Sequence, residues 1–235
     1  MRIAAHQVPE YRLDLDAALR QLESASPDVD LACFPECYLQ GYLTDRATAF
    51  EHALDLQSEE FHSVLIRLKR VEPALVFGLI ERDHDRLYNT AVLVRQGQLL
   101  GSYRKRQLLD GETCFDAGDS NPVFELDGTV IGINICYDLQ FPDGIAALSR
   151  QGASVVLCPC NNMMRRPTAA KYKSLHHPIR QQRAREGQVW LISADVTGPA
   201  DGDRVCYGPT SVIDPAGTVV AQVPLLSEGR VVVEV

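Results

Sequence analysis

The chain alternates between short apolar runs closed by turn residues and longer stretches whose apolar positions recur every three or four residues, a pattern of strands interleaved with helices. RIAAHQV (2–8) reads as a strand. LDLDAALRQLES (13–24) reads as a helix with Leu15, Ala18, Leu19 and Leu22 on one face, and VDLACFP (29–35) as a buried strand. SEEFHSVLIRLKRV (58–71) has Ser58 as its N-cap, acidic residues in the first turn and basic ones in the last, which suits a helix and its dipole. ALVFGLIER (74–82) predicts another strand.

Two hairpins follow. LYNTAVLVRQGQLLGSYRK (87–105) turns at Gln96-Gly97, and NPVFELDGTVIGINICYD (121–138) turns at Asp127-Gly128, with Cys136 at the end of its second strand. FPDGIAALSRQG (141–152) predicts a short helix closed by Gly152, and ASVVLCP (153–159) a buried strand. HHPIRQQRAREGQ (176–188) predicts a helix with Pro178 near its start and Gly187 at its end, which makes His176 and His177 helix-start residues rather than paired metal ligands. VWLISADV (189–196), a hairpin over 209–223 and GRVVVEV (229–235) complete the strands.

That order holds too many antiparallel pairs for a simple doubly wound fold. Two mixed sheets packed face to face with helices outside bury both faces of the strands, so the expected class is α/β, a four-layer α-β-β-α sandwich. No low-complexity linker divides the chain, and one domain over residues 1–235 is expected.

Composition narrows the function. With 46% hydrophobic and 23% charged residues the chain is ordinary globular material. The formal charge of −8 disfavours nucleic acid or an anionic membrane surface as partner and leaves a small molecule. No apolar run approaches a signal peptide or a membrane span, which points to the cytoplasm. Seven cysteines spread through apolar segments argue against a disulfide scaffold, and no second pair with zinc spacing accompanies Cys33 and Cys37 or Cys158 and Cys160; neither metal nor cofactor is expected.

Three segments place reactive residues at strand ends: FPECYLQGY (34–42), GSYRKRQL (101–108) and INICYDLQFP (133–142). Glu36 ends a buried strand, where a carboxylate needs a partner or a task. Cys136 emerges at a strand-to-helix turn, where N–H groups and a neighbouring cation favour the thiolate. Taken alone, Lys105 in Arg104-Lys105-Arg106 reads as a solvated turn.

Together Phe34-Pro35-Glu36, Tyr103-Arg104-Lys105 and Cys136-Tyr137-Asp138 resemble the motifs of the nitrilase (carbon–nitrogen hydrolase) superfamily, in the family's chain order. Arg183-Ala184-Arg185-Glu186 and Gly208-Pro209-Thr210-Ser211 extend the similarity over nearly the whole chain. The resemblance implies cofactor-independent cleavage of a small non-peptide amide by Cys136, with Glu36 as general base, Lys105 and the Tyr137 N–H holding the oxyanion, and Glu112 as a second, supporting glutamate. It also implies a pocket near Tyr42, Phe115 and the run Asn161-Asn162-Met163-Met164, and self-association, most simply as a homodimer. The chain looks more like the small amidases, ω-amidases included, than like true nitrilases. A nitrilase or N-carbamoyl amidohydrolase would use the same residues, and a silent scaffold would merely keep the fold. Gln107 and Gln140 stand where many members carry His and Arg, which bears on substrate preference. Arg165, Arg166, Lys171 and Lys173 are candidates to attract a carboxylate-bearing substrate.

Overall fold

A computed structural model describes residues 1–200 and 202–235. In chain order the elements are β1 (Arg2–Val8), α1 (Leu15–Glu23), β2 (Leu31–Cys33), α2 (Arg46–His52), α3 (Glu59–Arg67), β3 (Ala74–Asp83), β4 (Arg86–Arg95) and β5 (Gln98–Arg104). The second half holds β6 (Val123–Leu126), β7 (Thr129–Ile133), α4 (Pro142–Arg150), β8 (Val155–Pro159), β9 (Met164–Arg165), α5 (Arg166–Tyr172) and α6 (His176–Gly187). It ends with β10 (Trp190–Val196), β11 (Gly198–Ala200), β12 (Arg204–Cys206), β13 (Ser211–Ile213), β14 (Val219–Gln222) and β15 (Gly229–Glu234).

One mixed sheet runs β5-β4-β3-β2-β1 with β15 antiparallel to β1, and a second runs β6-β7-β8-β10-β13-β14. They are less separate than expected: β1 and β10 pair in parallel at Gln7 with Asp195 and Val8 with Val196, joining the halves into one folded twelve-stranded sheet.

The alternation of strand residues explains the layers. In β8, Val155 and Leu157 enter the core between the sheets while Val156 and Cys158 pack outward under α4 and α6. In β3, Ala74 and Val76 face the other sheet while Leu75 and Phe77 pack under α1 and α3. Both faces of the central strands are thereby buried, all of β8 and Ala74–Glu81 of β3 included, which is why their apolar runs are continuous. The result is α/β, an α-β-β-α sandwich.

Local chemistry fixes the ends of the elements. Asp14 accepts from the Ala17 N–H at 2.9 Å and Ser58 from the Phe61 N–H at 3.1 Å, each satisfying an orphan donor of a first helical turn. Gln96 and Gly97 (φ 49° and 74°) and Asp127 and Gly128 (φ 49° and 80°) turn both hairpins in the left-handed region. Gly187 is the last residue of α6, as expected, and the left-handed cap falls on Gln188 (φ 51°). Gly187 is required by packing instead, since a Cβ there would stand 2.4 Å from Ile145. Among the described residues no helix is long and apolar enough to cross a membrane.

Candidate active site

Glu36 follows β2, Lys105 follows β5, Cys136 follows β7, and Asn161 and Asn162 follow β8. Strands β1, β2 and β3 run parallel, as do β7, β8 and β10, and two antiparallel pairings return β5 to the direction of β3. These residues therefore gather at one end of the sandwich, at the carboxyl ends of their strands, where open α/β sheets commonly build ligand sites.

Glu36 and Lys105 are buried and joined at 2.7 Å, with Glu112 on the same ammonium at 2.9 Å. Asn89, in the middle of β4, donates to both carboxylates, at 2.7 Å to Glu36 and 3.2 Å to Glu112. The other oxygen of Glu36 accepts from the Asn161 N–H at 2.8 Å, and that of Glu112 from the Leu109 N–H at 2.7 Å. Burial raises the Glu36 carboxyl above the usual carboxylate range against the opposing pull of Lys105, with Glu112 adding to the rise. Burial works against the Lys105 charge, but Glu36, the Cys136 sulfur and Glu112 outweigh it and hold the amine firmly protonated. Lys105 has three donors and spends two on the carboxylates, so one N–H is left for a third acceptor.

Close backbone approach sets this cluster. A Cβ on Gly78 of β3 would lie 2.3 Å from the Cys37 nitrogen and 2.6 Å from the Glu36 Cα, so the Glu36 turn packs directly on that strand. A Cβ on Gly118 would meet the Arg104 carbonyl at 2.3 Å; that contact folds the loop carrying Glu112 back against the end of β5.

Cys136 opens a 3₁₀ turn, Cys136–Gln140, with φ of 42°, a strained left-handed conformation for a residue with a side chain. The Tyr137 N–H, next in that turn, has no acceptor within it. Buried Asp138 locks the turn: it accepts from the Ile135 N–H at 2.8 Å, the Tyr103 hydroxyl at 2.8 Å and the Gln107 N–H at 2.8 Å. One carboxylate thus ties the cysteine turn to the chain just after Lys105. The Cys136 thiol is pushed well above its ordinary pKa by contact with the Cys160 thiol, by burial and by the Glu36 carboxylate, and Lys105 only partly offsets them. The expected bias toward thiolate is reversed: the resting sulfur is held as a thiol.

A cavity of about 400 Å³ opens on Cys136. Tyr42, Tyr137, Asn161 and Asn162 line it, as does Gln140. Phe115 does not: it is buried beside Tyr42 among Cys37, Leu43, Ile80 and Leu87, because its loop turns inward toward that apolar cluster. Met163 and Met164, expected beside Asn161 and Asn162, line it too, whereas sequence reasoning missed Cys160, Thr168, Tyr172, His176, Ile179 and Arg180. It also missed the support beneath Asn162. The side chain of Asn162 donates to buried Asp195 at 2.5 Å while its oxygen stands 3.8 Å from the Cys136 sulfur, and Arg180 lies 3.7 Å from Asp195. Arg165, Arg166, Lys171 and Lys173 are exposed and outside the lining.

The chain matches the carbon-nitrogen hydrolase family model over residues 2–235. It is 32% identical over 231 residues to a Pseudomonas protegens protein described as "Hydrolase in pqqF 5'region", covering 94% of this chain and 78% of that one. It is 30% identical over 207 residues to an (R)-stereoselective amidase of a Pseudomonas species, covering 88% and 73%. A solved structure of the amidase from Nesterenkonia sp. AN1 superposes with a TM-score of 0.86 at 26% identity, covering 100% of this chain and 90% of that one. That structure is of a glutamate-to-glutamine variant showing covalent addition of the acetamide moiety of fluoroacetamide at the active-site cysteine. The chain belongs to the carbon-nitrogen hydrolase family, the nitrilase superfamily, as an amidase acting on carbon–nitrogen bonds other than peptide bonds.

Proposed function

We propose that the protein is a cysteine-dependent amidohydrolase that converts a small amide to its carboxylate and ammonia through a thioester on Cys136. The observation that carries the reading is the buried cluster of Glu36, Lys105 and Glu112 beside a thiol that opens on the cavity. The acetamide adduct on the cysteine of the Nesterenkonia amidase supports the same nucleophile here.

A thiol held protonated needs a base at the moment of attack, and Glu36, raised by burial, has the basicity to take the proton and return it. As the sulfur bonds to the amide carbon, its proton passes through Glu36 to the nitrogen, and the C–N bond breaks to release ammonia. Water then adds to the thioester with Glu36 accepting its proton, and the carboxylic acid leaves as the thiol is restored. The free Lys105 N–H and the Tyr137 N–H stabilise the oxyanion in both halves. Glu112 and Asn89 hold Lys105 and Glu36 in register. As part of this reading residues 1–235 form one catalytic domain, working as a cytoplasmic homodimer on a small-molecule substrate.

The test is acyl transfer to hydroxylamine during turnover of a panel of small amides. Hydroxamate formed alongside ammonia by wild type, and by no Cys136→Ala preparation, is the expected result; ammonia released without hydroxamate or acyl-cysteine overturns the thioester. A second expectation follows from Gly78. Gly78→Ala pushes the Glu36 turn off β3 and should lower kcat by about 10- to 100-fold and stability by about 1–3 kcal/mol. Measured kcat within twofold of wild type would show that the approach at Gly78 does not position the base.

A further inference from the structure

We infer that this site selects amides whose acyl group is neutral and largely apolar, and that it rejects the monoamides of dicarboxylic acids. The inference deepens the amidase reading and rests on it.

The cavity beyond Cys136 is walled mainly by Leu139, Met163, Met164, Tyr172 and Ile179. An acyl chain entering it exchanges water for carbon and sulfur surface, which favours apolar substituents. Among the described residues of the lining, Arg180 is the one permanent cation, and it is already committed. One terminal nitrogen donates to the Pro209 carbonyl at 2.5 Å and to the Ser211 hydroxyl at 3.4 Å. The other reaches the Cys160 sulfur at 3.3 Å and stands 3.7 Å from Asp195. A substrate carboxylate would have to take Arg180 from Asp195, leaving that buried acid unpaired.

The remaining polar groups offer little to an anion. His176 is neutral, its pKa lowered to about 3 by burial and by the neighbouring Arg180 and His177. The Asn162 amide is held by Asp195 and the Asn161 amide by Glu10, at 3.0 Å, which leaves each at most one neutral N–H to offer. Gln140 is uncharged. Three carboxylates (Glu36, Glu112 and Asp195) stand behind the reacting end of the cavity against the two cations Lys105 and Arg180, while Glu10, which holds Asn161, shares the adjoining groove with Arg12 and Arg204. The local field therefore repels a second negative charge. An unpaired carboxylate desolvated here lowers kcat/KM by about 100-fold or more relative to an apolar group of the same shape.

The comparison uses a near-isosteric pair, 4-methylpentanamide and succinamate. Calorimetric binding to Cys136→Ala reads the pocket without turnover, and ammonia release by wild type reads the chemistry. The expected result is binding and turnover of 4-methylpentanamide with a kcat/KM ratio of about 100 or more over succinamate. Thr168→Arg, which brings a cation to the exposed edge of the lining, should narrow that ratio by about fivefold. Preferential binding of succinamate, or binding of neither ligand, overturns the inference. The first would direct attention to the groove across Tyr42 and Met163 that holds Arg12 and Arg204. Apolar binding with no ammonia from wild type upholds this substrate class while overturning the amidase reading, so the two failures are distinguishable.

Discussion

Cys136→Ala should lower kcat/KM by at least about 10⁴-fold with the fold and melting temperature little changed. The size of the loss follows from the division of labour in the site. Lys105 and the Tyr137 N–H stabilise an oxyanion only if a nucleophile forms one, and no neighbouring side chain supplies a substitute. Cys160 is fully buried, its thiol is also held protonated, and the Arg180 guanidinium sits against its sulfur. Cys136→Ser should be nearly as inactive. A hydroxyl is a far weaker acid than a thiol, and the surroundings that raise the Cys136 pKa raise that of the serine too. Ammonia release above about 1% of wild type by the Ala variant would remove Cys136 from the chemistry, since a missing nucleophile costs orders of magnitude more.

The fold was legible where local chemistry and global packing agree. Ser58, Gln96-Gly97 and Asp127-Gly128 each satisfy a backbone requirement that only a few residue types meet, and each appears where the pattern places it. Where elements are too short to show a period the sequence carried no signal: α2, α5 and the small sheet of β9, β11 and β12 were missed. Helix α6 shows a different blindness. Its buried positions are Arg180, Arg183, Ala184 and Gly187, a helical spacing carried largely by arginines that a search for apolar periodicity cannot see. Those arginines are inside because they have partners: Arg180 has Asp195 and the Pro209 carbonyl, and Arg183 donates to the Leu139 carbonyl at 2.8 Å.

The same distinction runs through the site. Glu36, Lys105 and Cys136 stand in compact motifs at strand ends and Glu112 in the loop after Lys105, and the structure brings them together. Asn89 and Asp195 did leave a trace, a polar residue interrupting a buried apolar strand in LYNTAVLV and LISADV, but only the third dimension shows what each one holds. The lining from α5 through α6 left none, since a cavity wall depends on how segments distant in the chain converge. The reading of Arg165, Arg166, Lys171 and Lys173 as a carboxylate attractor gains nothing from the cavity wall for that reason: the four are exposed and stand outside the lining.

Lys105→Met should cost about 3–5 kcal/mol of stability at neutral pH and lower the melting temperature by about 10 °C. In the native site the ammonium separates two carboxylates that are each about 1% exposed. Methionine fills the space but leaves Glu36 and Glu112 facing each other with only Asn89 between them. Both cannot stay ionised, so the pKa of Glu36 rises further above its already raised native value. A carboxyl whose folded pKa is raised contributes stability that is present below its unfolded pKa and lost as pH rises through the folded one. The gap between variant and wild type should therefore be small near the ordinary glutamate pKa of about 4.5 and widen steadily toward pH 8. Activity should fall by at least about 10³-fold across that range, because the main oxyanion donor is gone. A stability gap that is constant with pH, or that closes as pH rises, would mean that the two carboxylates do not depend on Lys105 for their charge.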